Sequence, residues 1–367
     1  MNVQQPPVRD DLAAMVGYHS PQVDVSIRLN TNESPQPPPA GFRQAITDAV
    51  AELDWNRYPN RSAVALRTAI AAFHGVDLGQ VFAANGSNEV LQTLLLTYGG
   101  PGRRVVTFEP TYALHSHIAT IVGTKVVKGE RDHKFRLDST HAVDVVTEAK
   151  PIITFLCSPN NPTGLAEDPE LVDRVLAAVI ATGGLLVVDE AYAEFASWTS
   201  LDRVDESVPL VVTRTFSKTW SMAAARLGYM VGPSWVTDKL EAVVLPYHLD
   251  AVTQAAGLAA LNFVDDMNDR VANIVRERER ILAAFERLPV ECWNSQSIFV
   301  LFRPTEQDGN AVWQKLLDRD VLVRNCATWP GLDGCLRVTI GTEQENDVFL
   351  GALTEILGAE SAQGARP

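Results

Sequence analysis

Short apolar runs alternate with amphipathic stretches through the middle of this 367-residue chain. VFAA (81–84), RVVTFEP (104–110), TKVVK (124–128), PIITFL (151–156), GLLVVDE (184–190), LVVTRTF (210–216) and LGYMVG (227–232) each read as a strand. Their Val, Ile and Leu positions run nearly unbroken, as in parallel strands covered on both faces. Helical periodicity occupies the gaps at 87–98, 112–122 and 168–181, and two more helices are predicted at 41–53 and 62–74. Strands and helices in alternation predict an α/β fold with a large, doubly wound, mostly parallel sheet. Beyond Pro246 the pattern changes. A long polar-faced helical region at 251–288 precedes short strands at 297–302, 321–325 and 335–341 and a closing helix at 343–357. That order predicts a smaller α+β domain. The first 40 residues are Pro-rich and aperiodic, ending in SPQPPPAG, and read as an extended arm. The expected division is an N-terminal arm at 1–40, a large domain at 41–246, a small domain at 247–358 and a disordered tail at 359–367.

Composition narrows the function classes. With 46% hydrophobic and 21% charged residues, the chain has a globular balance. Its 31 Lys and Arg against 45 Asp and Glu give a net charge of −14. No dense run of basic residues offsets it, so nucleic acid and anionic membranes are excluded as partners and a small molecule is expected. No apolar run is long enough to span a bilayer, and the first residues lack the pattern of a signal peptide. Four cysteines without CxxC spacing read as reduced thiols, and the cytoplasm is the expected location. The seven histidines are scattered. His115 and His117 lie two apart in a predicted helix and point away from each other, so both read as structural and no metal is expected.

Candidate chemistry lies at the carboxyl ends of the predicted strands, where open α/β sheets bind ligands. There stand Asn85-Gly86-Ser87-Asn88, Glu109-Pro110-Thr111-Tyr112, Ser158-Pro159-Asn160-Asn161-Pro162-Thr163-Gly164, Asp189-Glu190-Ala191-Tyr192 and Thr215-Phe216-Ser217-Lys218, with Arg226 eight residues on. Any one of these could be a helix cap or a turn. Pyridoxal 5′-phosphate asks for all of them together. Its aldehyde needs a lysine, its ring nitrogen a carboxylate and its flat ring an aromatic cover. Its phosphate needs a helix N-terminus with hydroxyl and guanidinium donors.

The motifs SPNNPTG, DEAY and TRTFSK, with the arginine after Lys218, resemble fold-type I pyridoxal-phosphate aminotransferases. LNTNESP, RYP, NGSNE, LPYH and GCLRVTIGT resemble, more narrowly, the histidinol-phosphate aminotransferases, and the likeness runs from about Tyr18 to Leu357. It implies that Lys218 forms the Schiff base and moves the proton, while Asp189 pairs with the ring nitrogen. Asn161 and Tyr192 would bond the phenolate oxygen, and Tyr112 would stack on the ring. Gly86, Ser87, Asn88, Ser217 and Arg226 would cup the phosphate. Tyr58 would reach the neighbouring subunit's phosphate in a homodimer. Arg337 would fork onto the substrate anion, with Arg324 as a second cation. Tyr18, Asn32 and Tyr247 would line the substrate pocket.

The implied reaction is ping-pong transamination between L-histidinol phosphate and 2-oxoglutarate in histidine biosynthesis. The alternatives are an aromatic amino-acid aminotransferase, a decarboxylase of amino-acid phosphates and a non-catalytic regulatory protein on the same fold. Two positions depart from the family pattern. Ala224 stands where many relatives have glycine, tolerable if its φ is negative. Ile298 stands where a polar residue is common, near the arginine expected to grip the substrate.

Overall fold

The computed structural model describes residues 6–13, 15, 17 and 23–361. Tyr18 and residues 362–367 of the expected tail lie outside the described residues. The strands are β1 (Ile27–Leu29), β2 (Val81–Ala84), β3 (Arg104–Glu109), β4 (Lys125–Glu130), β5 (Ile153–Cys157), β6 (Leu185–Asp189), β7 (Leu210–Thr215), β8 (Gly228–Val231), β9 (Val290–Cys292), β10 (Phe299–Pro304), β11 (Val321–Asn325) and β12 (Leu336–Thr339). They form a seven-stranded sheet, in the order β2-β8-β7-β6-β5-β3-β4, and a five-stranded sheet, β1-β11-β12-β10-β9.

All of the large sheet but β3 and its edge strand β4 is buried along the whole strand length, which explains the unbroken apolar runs. Leu185 and Val187 of β6 enter one layer with Leu91 and Leu94. Leu186 and Val188 enter the opposite layer with Val172 and Val175. Strands β7, β6, β5, β3 and β4 run parallel, as the α/β reading expects. β8 runs antiparallel to both β2 and β7. The chain between β7 and β8 holds only a 3₁₀ turn, Ala223–Ala225, too short for a crossover back to a parallel start.

The second sheet has its own core around Phe285, Phe299, Phe302 and Phe349. Its edge strand is unexpected. Ile27–Leu29, read from sequence as part of an aperiodic arm, pairs in parallel with β11 in the register Ile27↔Val321. Three residues carry no readable period, and the partner that makes them a strand lies near the other end of the chain.

Helices Ser139–Ala149, Ser234–Val243 and Gly309–Leu317 were not expected from periodicity. The predicted helical region 251–288 is two helices, Ala251–Ala260 and Val264–Phe285. They part at Phe263, whose φ of −118° and ψ of 39° leave the helical region. The closing helix runs from Glu343 to Ser361, beyond its expected end. Among the described residues no helix is long and apolar enough to cross a membrane.

Candidate active site

Asp189 is the last residue of β6, so the apolar run before it delivers a carboxylate to the carboxyl edge of the sheet, 1% exposed. Oδ2 lies 3.0 Å from His115 Nε2, and Oδ1 accepts from Thr213 Oγ1 at 3.2 Å. His115 is fully buried and stacks on Phe155 at 4.7 Å with the rings 5° from parallel. Periodicity offered only a structural role for this histidine. The structure instead makes it the partner that orients Asp189. The available signal was its spacing from Tyr112, one helical turn away; Tyr112 meets the imidazole edge-on at 5.4 Å.

Lys218 follows β7 by three residues and is half-buried. Its Nζ lies 3.4 Å from the Thr31 carbonyl and 5.9 Å from the centre of the Tyr192 ring. Burial pulls its pKa down to about 8; Arg337 and Arg226 add to the fall and Glu33 opposes it. A lysine so placed is substantially neutral at slightly alkaline pH, which both a nucleophile and a proton carrier require.

The helix Gly86–Tyr98 points its amino end at the same space. Tyr112 Oη donates to Asn88 Oδ1 at 3.1 Å. Arg226 donates to Ser217 Oγ at 3.3 Å and packs so closely on Gly86 that a Cβ there would lie 2.8 Å from its guanidinium. Unpaired N–H groups, a hydroxyl and a guanidinium together make an anion cup. Ala224 sits in the 3₁₀ turn with negative φ, so the missing glycine costs the backbone nothing.

Across the cavity, Arg337 on β12 is 4% exposed. It donates to Asn161 Oδ1 at 2.5 Å and to the Asn30 carbonyl at 3.1 Å, over the face of Phe299 at 5.0 Å. Ile298 lies in the second core, away from the cavity lining, so the departure there leaves the lining unchanged. Lys218, Asp189, Tyr112, Ser87, Asn88, Asn161, Tyr192, Ser217, Arg226, Arg337 and Asn32 line one cavity of about 420 Å³.

Residues 24–353 match the family model of class I and II aminotransferases. The chain belongs to this family. It is 45% identical to the histidinol-phosphate aminotransferase of Frankia casuarinae, over 96% of this chain and 90% of that one. It is 44% identical to that of Mycolicibacterium smegmatis, over 98% of this chain and 96% of the relative. The histidinol-phosphate aminotransferase of Sinorhizobium meliloti, solved in complex with pyridoxal-5′-phosphate, superposes with a TM-score of 0.83 at 23% identity, covering 92% of each chain. At that identity the likeness establishes the fold-type I architecture.

Three expected site residues of this aminotransferase stand apart from the cavity. Tyr58 is 79% exposed and stacks on Tyr247, ring centres 4.4 Å apart. Neither lines the cavity of its own chain. Arg324 sits opposite Arg337 in register but faces Trp329 at 5.4 Å, outside the lining.

Proposed function

We propose that this aminotransferase uses pyridoxal 5′-phosphate to exchange an amino group between L-histidinol phosphate and 2-oxoglutarate, as a step of histidine biosynthesis. One observation carries the reading: the Lys218 amine and the Asp189 carboxylate, brought by different strands, face one cavity together with Arg337. The cavity volume suits a small cofactor with a small substrate. The donor set fits the group, with a buried carboxylate, a lysine whose charge is destabilised and an anion cup built on a helix terminus. The names of relatives at 44% and 45% identity support the substrate.

When bound, the cofactor supplies an electrophilic aldehyde carbon and a ring that accepts the electron pair released at the substrate carbon bearing nitrogen. Ser87, Asn88, Ser217 and Arg226 would hold its phosphate, and Tyr112 would cover its ring. Asp189, oriented by His115 and Thr213, would keep a proton on the ring nitrogen and so favour electron withdrawal. Asn161 and Tyr192 would donate to the phenolic oxygen. Lys218, neutral once displaced, would carry the proton to and from the reacting carbon. Arg337 would exchange its bonds to Asn161 and Asn30 for the carboxylate of glutamate or the phosphate of histidinol phosphate.

We read the seven-stranded sheet as the core of a large domain and the five-stranded sheet as that of a small one, with the substrate between them. We also propose a homodimer in which Tyr58 serves the neighbouring subunit's site. Its support is the exposed Tyr58–Tyr247 stack, which bears on nothing in its own cavity. All four cysteines are free thiols, which favours a cytoplasmic location.

The test is kinetic. With 2-oxoglutarate as acceptor, kcat/KM for histidinol phosphate should exceed that for phenylalanine, and Lys218→Ala should lose both turnover and the visible absorption of the cofactor-loaded protein. Equal or better use of phenylalanine would replace the proposed substrate with an aromatic amino acid. Protein that acquires no visible absorption with pyridoxal phosphate would end the cofactor reading.

A further inference from the structure

Asn161 and Tyr192, the two groups facing the phenolic oxygen of the proposed cofactor, are braced by the same strand in different ways. Arg337 of β12 donates directly to Asn161 Oδ1. Tyr192 is held at one remove: its hydroxyl accepts from Asn32 Nδ2 at 2.9 Å. Asn32 is in turn clasped by Thr339, also on β12. The Asn32 backbone N–H donates to Thr339 Oγ1 at 3.0 Å, and that hydroxyl donates to Asn32 Oδ1 at 3.1 Å. Arg337 and Thr339 are two residues apart on a strand, so both face the cavity side.

Asn32 is 2% exposed with φ of 56°, in the left-handed region that asparagine enters more readily than most residues. Its amide oxygen and nitrogen are both engaged by protein groups. That is the position of a brace, whereas the family likeness suggested a side chain offered to the substrate.

Resting on the cofactor reading above, we infer that Asn32 is a positioning residue that fixes the direction of the Tyr192 phenol hydrogen, and that Thr339 ties this direction to the strand carrying Arg337. The polarity follows link by link. A backbone N–H can only donate, so Thr339 Oγ1 accepts there and sends its one hydrogen to the Asn32 oxygen. The amide then turns its NH₂ toward Tyr192. The phenol oxygen accepts that bond, and its own hydrogen is directed into the cavity, where an anionic oxygen would receive it. Both donors to that oxygen are thereby braced by β12, so an anion drawn onto Arg337 pulls on the strand that also sets Tyr192.

Tyr192 keeps its hydrogen under these conditions. Burial raises its pKa well above the ordinary phenol value, more than Arg337 and the Asn32 bond lower it. Asp189 and Cys157 lie on the side that raises it further, Lys218 lies over its ring, and Phe299 meets it edge-on at 5.2 Å.

The test titrates the visible band of the cofactor-loaded enzyme against pH and measures pyridoxal phosphate affinity. Asn32→Asp keeps the shape but can only accept, so it takes the Tyr192 hydrogen back. Deprived of that donor, the cofactor's oxygen holds its shared proton more tightly, and the midpoint should rise by about one pH unit. Asn32→Gly, which suits the left-handed backbone, and Thr339→Val should shift it the same way by less. In a Tyr192→Phe background the Asn32→Asp shift should vanish. A shift that persists there is the effect of added charge alone and overturns the inference, as do unmoved midpoints and affinities in Asn32→Gly and Thr339→Val. Wild-type protein with no visible band would instead overturn the cofactor reading and this inference with it. Thermal melting of each variant identifies any loss of fold, and the glycine and valine variants decide the matter if the aspartate one does not fold.

Discussion

At the scale of single residues, the site depends on side chains whose neighbours set their protonation and direction. His115→Phe keeps the stack on Phe155 and removes the bond to Asp189. It should lower kcat about ten- to thirtyfold, the worth of about 1.4 to 2 kcal/mol in one buried charged hydrogen bond, and lower the melting temperature by only a few degrees. Steady-state kinetics beside a melt separates the two. Lys218 gives a pH-dependent outcome in the cofactor-free protein. Its folded pKa of about 8 lies below the ordinary lysine value of 10.5, so the unfolded chain binds more protons between those values and stability rises with pH there. Lys218→Met should therefore be more stable than wild type below pH 8, and the gap should close between about pH 8 and 10.5; parallel melts across that range check it. Lys218 and Asp189 were legible because Asp189 ends an apolar strand and Lys218 follows one by three residues, where the sequence order alone aims a polar group at a sheet edge. His115 and the bracing role of Asn32 were not, since their partners come from elements far away in the chain.

Among the elements, close approach decides where glycine is required. β8 passes under the amino end of helix Gly86–Tyr98, and a Cβ on Gly228 would sit 2.1 Å from the Ser87 nitrogen. Gly228→Ala should push that helix end away from Arg226 and weaken pyridoxal phosphate binding at least tenfold, about 1.4 kcal/mol or more. Fluorescence titration of the cofactor-free variant measures it. The overlooked helices differ in how readable they were. Ser139–Ala149 and Gly309–Leu317 each begin at an aspartate cap, Asp138 accepting from the His141 N–H and Asp308 from the Ala311 N–H. Those caps were visible signals. Ser234–Val243 is preceded by Pro233, which has no side-chain acceptor, and its first N–H is capped instead by Glu206 from 28 residues earlier, which no local pattern announces. β8 reads like its parallel neighbours because burial on both faces erases any sign of strand direction.

For the whole molecule, the exposed aromatic surface calls for a partner. Trp55, Tyr58 and Leu245 are each more than 70% exposed, close to the half-exposed Tyr247. If Tyr58 completes the other subunit's site, Lys218→Ala and Tyr58→Ala proteins, each impaired alone, should complement when unfolded and refolded together. A one-to-one mixture should recover roughly a quarter of wild-type activity, since half the dimers are mixed and each carries one intact site. No recovery would keep Tyr58 out of the neighbour's chemistry. That short strands of a second sheet follow was legible from the change of pattern after Pro246, but the placement of its first strand, β1, was not.

That first strand has a consequence for how the protein is made. β1 leads directly into Asn30, Thr31 and Asn32 at the rim of the cavity, yet its mate β11 is translated about three hundred residues later. A ribosome must therefore release nearly the entire polypeptide before the rim can close. Stalled nascent chains ending ahead of Val321 should emerge with the central sheet assembled but no grip on vitamin B6.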